Sequence, residues 1–275
     1  MTDLVVRRLL IDLETPFPGR WNGGDAFRSA FFNALSMSFP AGEQYFIDSV
    51  RAGLKALPDA KRAALTAQVQ GFIGQEATHR RIHAWFNAQL DKLGYDNEIE
   101  RRANQRRLAH EADDLRNKVA ATAATEHFTA IFANWLLHHP QALQGAEARL
   151  QTLWQWHSAE ESEHRSTAFD LYQALGGNHH WRIRVFKYIT YVFLSDVLRQ
   201  TLRNLRHDGS LFKWSSWRSA STLWFARDGM IRGNYRLWRD YLAADFHPSQ
   251  HEAALAPLWL HAHRSQFAVV AAPTA

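Results

Sequence analysis

The chain has 275 residues, is 46% hydrophobic, carries a formal charge of +5 and contains no cysteine. The lack of cysteine excludes disulfides, thiol nucleophiles, zinc ribbons and iron–sulfur ligation. The arginines are dispersed and no nucleic-acid motif is visible, so no nucleic-acid partner is expected from the basic charge.

The opening segment, MTDLVVRRLLIDLETPFPGR, has a short apolar run broken by two arginines and followed by acids. This is not the pattern of a signal peptide, and no stretch of about 18 uncharged apolar residues occurs anywhere. A cytoplasmic, non-spanning protein is the expectation.

Residues 1–24 read as an irregular lead-in. A first core helix is expected over 26–56, kinked or restarted near Pro40, and a second over 59–92. The charged stretch 94–110 reads as a crossover with some helix. A third core helix covers 111–138 and ends at His138-His139-Pro140; these two histidines read as a helix end. A fourth covers 141–175 and ends at Gly176-Gly177. Further helical regions are expected over 180–207 and 213–245, then a tail. No strand pattern of useful length is seen. The expected architecture is therefore all-α: a four-helix bundle over 25–178 and a helical extension over 179–275 packed on it.

The core seams of the four helices share an anomaly. Helix 1 places Phe32, Leu35, Phe39, Glu43, Phe46 and Val50 on one stripe. Helix 2 places Leu65, Val69, Phe72, Glu76, His79, His83, Phe86 and Leu90. Helix 3 gives Val119, Thr122, Glu126, Thr129, Ala133 and Leu136, and helix 4 gives Leu150, Leu153, His157, Glu161, His164, Ala168 and Leu171. Steps of three and four put all of these where a helix buries its apolar face. Each seam is apolar at its ends and holds a glutamate near its middle.

A buried carboxylate costs several kcal/mol, and several together repel. Protonation relieves one or two; two divalent cations relieve all four. The order is Glu43, then Glu76-Ala77-Thr78-His79, then Glu126, then Glu161-Ser162-Glu163-His164. This is the bundle dimetal pattern of a lone Glu from each of two helices and a Glu-x-x-His from each of the other two. Glu43 precedes Glu76 by 33 residues, and Glu126 precedes Glu161 by 35. Two hairpins joined by a crossover give that repeat.

His157 lies one turn before Glu161 on the same face and reads as a further ligand, to the ion nearest His164. His83, one turn beyond His79, reads as a core histidine. Glu160 and Glu163 point off the seam, towards solvent or as partners to the histidines. His127 is rotated away from Glu126. The metal set is thus Glu43, Glu76, His79, Glu126, His157, Glu161 and His164. Glu76 and Glu161 are expected to bridge and to carry the catalysis. Glu43 with His79 would cap one ion, and Glu126 with His164 the other. Phe46, Phe72, Thr122 and Thr129 are candidate lining for a hydrophobic substrate.

At these residues the chain resembles a bacterial family usually labelled "predicted metal-dependent hydrolase". The resemblance runs through FPAGEQYFIDSVR, IGQEATHRRIH, ATEHFTA and WHSAEESEHRSTAFDLY. The ligand pattern is also similar to ferritin-like diiron oxygenases and oxidases. Its His157-x-x-x-Glu161-x-x-His164 part looks like the p-aminobenzoate N-oxygenase type. That likeness implies iron and O₂ chemistry and transfers no substrate.

The sequence therefore favours a non-haem diiron oxidoreductase, an O₂-activating oxygenase or oxidase with two iron ions, manganese being the competing metal. The substrate would be a small hydrophobic organic molecule. No flavin or nicotinamide fingerprint is present, so a separate electron donor is expected. The alternative is a dimetal hydrolase using a metal-bridged hydroxide. Five tryptophans, Trp181, Trp214, Trp217, Trp224 and Trp238, lie among arginines over 181–245. They read as bundle-covering helices with a homodimer contact, in preference to membrane contact.

Overall fold

Asp25 starts the helical part of the chain: its carboxylate accepts the Arg28 backbone N–H at 2.9 Å, and helix α1 (Ala26–Ala56) follows. The cap satisfies one of the donors a helix start leaves open. The computed structural model describes residues 4–270. The expected restart at Pro40 does not occur; α1 runs through it. Pro40 has no N–H to offer the Ser36 carbonyl. Asn87, from the next helix, donates its amide to that carbonyl at 3.0 Å instead.

Helix α2 (Asp59–Lys92) and the crossover helix α3 (Glu98–Ala109) fall where expected. Helix α4 (Leu115–His138) begins at the Asp114 cap, later than expected. The expected fourth helix is divided. A 3₁₀ turn occupies Pro140–Leu143, α5 covers Ala148–His164, and α6 covers Thr167–Ala174. The break follows His164 directly. There the Arg165 guanidinium donates to the Ser162 carbonyl and also reaches the Pro248 and His251 carbonyls at 3.2 and 3.3 Å. A side chain thus satisfies a carbonyl of the last turn of α5, and helix resumes at Thr167.

The C-terminal third contains α7 (His179–His207), α8 (Trp214–Phe225), α9 (Met230–Asp240) and α10 (Leu255–Ala262). The helical region expected over 213–245 holds α8 and α9. Helix α7 lies against α1 and α4, α9 against α4, and α10 against α5. No helix among the described residues is long and apolar enough to cross a membrane.

The architecture is all-α apart from one small ribbon. Strand β1 (Arg7–Leu9), inside the lead-in expected to be irregular, pairs antiparallel with β2 (Phe267–Val269). The chain just before β1 crosses α2 at Gly71 and Gly74. A Cβ on Gly71 would stand 2.5 Å from the Leu4 Cβ, and one on Gly74 2.3 Å from a Val6 methyl carbon. Only glycine permits that approach.

Helices α1 and α2 form one hairpin and α4 with α5 another, and α1 also meets α4 while α2 meets α5. Two apolar clusters fill the interior. On α1, apolar residues from Phe27 to Met37 belong to one and Phe46 and Val50 to the other; on α2, Ile82, Phe86 and Leu90 and then Val69 and Phe72 divide the same way. Glu43 and the Glu76–His79 segment lie between them. The polar middle of the seams is thus a layer enclosed by hydrocarbon on both sides.

Candidate metal centre

That layer gathers all seven expected donors into two groups. Glu43, His79 and His157 form one; Glu76, Glu126, Glu161 and His164 form the other. Within each group, one ligand atom per residue lies within 4.8 Å of every other. All seven side chains are buried.

Glu161 faces both groups. Its Oε1 is 2.9 Å from His157 Nε2 and 3.4 Å from His79 Nδ1, while its Oε2 is 3.5 Å from His164 Nε2. His164 Nε2 also lies 3.1 Å from Glu76 Oε1 and 3.3 Å from Glu126 Oε2. The placement of His157 corrects the sequence expectation: it joins Glu43 and His79, not His164. The reason is helical geometry. His157 is four residues before Glu161 and His164 three after, so they stand about a turn away on opposite sides along the axis.

The inward-facing atoms lack ordinary partners. Both oxygens of Glu43, Glu76 and Glu126, together with Glu161 Oε2, His79 Nδ1 and His164 Nε2, are buried with no hydrogen bond. So many unsatisfied buried polar atoms at one place would be heavily destabilising on their own. They converge on common points and are all oxygen or imidazole donors, so the residues present fit two first-row divalent ions.

The protein electrostatics agree. Burial, and then the Glu76 charge, hold the Glu43 carboxyl well above its ordinary range. Burial and Glu161 raise Glu126 to about 8. Glu161 is held well below the usual carboxylate range: burial opposes this, and His164, His157 and His79 outweigh it. For His79, burial works downward, yet its bond to Glu160 and the nearby Glu161 carboxylate bring it to about 10.

An outer layer fixes which nitrogen of each histidine points inward. His79 Nε2 donates to Glu160 Oε2 at 3.0 Å, leaving Nδ1 for the centre. His164 Nδ1 donates to Gln75 Oε1 at 2.9 Å, leaving Nε2. For His157 the chain is longer. Ser36 Oγ gives its proton to Asn87 Oδ1 at 2.8 Å, so it accepts from His83 Nδ1 at 2.9 Å. His83 Nε2 is then bare and accepts from His157 Nδ1 at 2.6 Å, leaving His157 Nε2 bare and facing Glu161. Burial, and then nearby His157 and His79, push His83 well down, which keeps it neutral in this role. Fixing tautomer and ring orientation through the second nitrogen is how proteins set metal-binding histidines.

Glu160 is fully buried and Glu163 partly so, and Arg7 from β1 joins them at 3.0 and 2.7 Å. Gln75 donates to Glu163 at 2.9 Å and to the Val5 carbonyl at 3.0 Å. Arg7, Gln75, Ser36 and Asn87 were not singled out from the sequence. Gln75 carried a faint signal as the neighbour of Glu76. Arg7 carried only its position as a charge within an apolar run.

Two other histidine expectations agree with the structure. His127 faces away from the centre, its Nε2 3.0 Å from the Leu237 carbonyl. His138 and His139 bond to carbonyls of their own helix end.

Two cavities reach the layer. One, of about 490 Å³, is bordered by Glu43, Phe46 and Thr129; the other, of about 330 Å³, by Thr129, His157 and Glu161. Phe72 and Thr122 line neither. Phe72 packs edge-on to the His164 ring with centroids 4.9 Å apart, and the Thr122 hydroxyl is bonded to Ser49 Oγ at 2.6 Å.

Residues 5–252 match the sequence profile of a family described as "predicted metal-dependent hydrolase". The chain belongs to that family. Its match opens just ahead of β1, so the predicted metal-dependent hydrolase region includes Arg7 as well as every donor named above. No curated protein and no solved structure matches the chain.

Proposed function

We propose that the metal dependence of this family takes the form, in this chain, of a two-metal centre. Glu43, His79 and His157 would hold one ion and Glu126 with His164 the other, with Glu161 and Glu76 between them. What supports this is the convergence of orphaned donor atoms, each histidine held by its outer partner. Mixed imidazole and carboxylate ligands suit iron, and also manganese.

For the reaction, we infer oxidation of an apolar organic substrate by O₂. The observation that carries this reading is the character of the space beside the donors. The cavity at His157 and Glu161 is walled chiefly by Phe31, Leu35, Phe128, Ile131, Phe132 and Trp154. Hydrolysis calls for polar donors aimed at a developing oxyanion and leaving group; hydrocarbon walls suit a C–H or aromatic substrate. Two ferrous ions in the centre would supply the reducing equivalents that O₂ activation needs. In a hydroxylation one oxygen atom enters the substrate and the other leaves as water, consuming two electrons and two protons. A separate donor would return those two electrons to the iron ions after each turnover. The chain's own part is to hold the donors rigid, exclude bulk water and orient the substrate beside Glu161.

Hydrolysis is the second reading, and the family's description is the specific observation that favours it. On the comparisons alone it is the better backed of the two. There the centre would activate a water molecule, and the substrate would carry an ester, amide or phosphoester bond.

One experiment separates them. The protein is loaded anaerobically with Fe(II), its metal content measured, and O₂ admitted in an oxygen electrode. Oxidation predicts O₂ uptake on mixing, with Fe(II) converted to Fe(III). An iron form inert to O₂, together with a Zn(II) or Mn(II) form that cleaves an ester or phosphoester panel, would replace this reading with hydrolysis.

A further inference from the structure

We propose that the cavity bordered by Glu43 binds a hydrophobic organic anion, apolar end inward, with its charged head held at the rim by Arg107 and Arg184. This rests on the reading that the donors beside the cavity are the reaction centre. It adds the class of molecule that reaches them.

The cavity, about 490 Å³, falls in the size range of small-molecule sites. Its walls come from α1, α3, α4 and α7 and include Phe39, Phe46, Ile99, Val185, Ile189 and Phe193. At its inner end stands buried Glu43; at its outer end stand the exposed side chains Arg107 and Arg184. The second cavity shares Phe39, Thr129 and Phe193 with it and continues past His157 and Glu161. The two cavities are therefore neighbours beside the donor layer, and the first by itself has both buried Glu43 and the exposed arginines in its lining.

The charges at the rim are unequal in kind. Arg106 is paired with Asp196, which Arg102 also binds at 2.8 Å and Arg199 reaches at 3.8 Å. His110 is taken by Asp113 at 3.1 Å. Arg107 and Arg184 have no carboxylate partner among the described residues, and the Arg184 guanidinium lies 5.5 Å over the Trp181 ring. Two unpaired guanidiniums at the mouth of an apolar cavity match a carboxylate or phosphate on a hydrocarbon body. Guanidinium forks bind both groups well.

The test is calorimetric titration of the full chain, metal-free and metal-loaded, with decanoate, decyl phosphate and decanol at low salt. The metal-free arm decides the inference, because there no ion can hold the head. At least one of the two anions is expected to bind tenfold or more tighter than decanol, and the tighter one identifies the head group. An Arg107→Gln/Arg184→Gln double variant should lose that preference and keep its affinity for decanol. Both positions are exposed, so the variant's unfolding temperature should match the parent's. Decanol binding as tightly as both anions, or a double variant that keeps the preference, would overturn the inference. Failure of the two-metal reading would show separately, as absence of bound metal.

Discussion

His83 Nε2 lies 2.6 Å from His157 Nδ1, and this contact decides which His157 nitrogen faces the donor layer. The direction is imposed from Ser36 and Asn87, two residues with no ligand role. Asn87 also serves α1 by accepting the Ser36 hydroxyl and donating to the Ser36 carbonyl freed by Pro40. A local irregularity in α1 and the orientation of a candidate ligand thus share one amide.

His83→Leu should therefore weaken metal binding without unfolding the protein. Loss of the outer partner of a ligating histidine typically costs 10–100-fold in metal affinity or activity. Competition against a calibrated chelator, with the circular dichroism spectrum as a control for folding, measures it. Ser36→Ala should give a smaller loss in the same direction. An unchanged affinity in both would remove His83 from any positioning role.

Glu161 offers one oxygen to each donor group. Glu43 belongs to one group only. Metal analysis should then show about two ions per chain in the parent, following the bundle dimetal pattern. Glu161→Ala should lose most of both, whereas Glu43→Ala should keep the ion held at Glu126 and His164. Equal losses in the two variants would contradict the bridging position of Glu161.

The donors were legible in the sequence because a carboxylate at mid-seam breaks the apolar period of each helix. Glu43, Glu76, Glu126 and Glu161 each signal themselves that way, and the i, i+3 step places His79 and His164 beside two of them. Of the outer layer, Glu160 and Glu163 were legible as off-seam partners to the histidines, and the residues behind them were not. Arg7 reaches Glu160 across 153 residues of chain, and only the pairing of β1 with β2 and the glycines of α2 bring it there. Nor did the period reveal the division at Arg165. The apolar pattern continues through Ala168 and Leu171, while Arg165 at the break binds the Ser162 carbonyl beside it and the Pro248 and His251 carbonyls distant in sequence.

Arg7 supports a buried carboxylate that also holds His79. Arg7→Met leaves Glu160 with His79 and without its guanidinium partner inside the protein. Removing one partner of a buried ion pair costs about 3–5 kcal/mol, and chemical denaturation of the metal-free protein should show a loss on that order. Arg7→Met/Glu160→Gln should recover part of it, since no uncompensated charge is then left at buried position 160. A single variant as stable as the parent would place Glu160 in a wetter environment than its complete burial indicates.

Glu126 and His127 are adjacent and titrate with opposite effects on stability. Glu126 is raised by burial and Glu161 from an ordinary 4.5 to about 8. The stability it contributes is fully present below its unfolded value and is lost as pH rises through the folded one, because the unfolded chain releases the proton first. His127 is lowered by burial, and then by nearby His251, from 6.5 to about 3. Its contribution is present above the unfolded value and is lost as pH falls towards the folded one. In the metal-free protein, Glu126→Gln should therefore gain stability relative to the parent progressively from about pH 4.5 to about pH 8. His127→Phe should gain relative to the parent only on the acid side, between about pH 6.5 and about pH 3, over a constant offset from its lost bond to the Leu237 carbonyl. The proposed centre would need Glu126 as a carboxylate, so loading near neutral pH should release protons. Titration in two buffers of different ionisation enthalpy measures that release. A metal-loaded protein that keeps the parent's alkaline loss of stability would show Glu126 still protonated, and so would exclude it from the metal ligands.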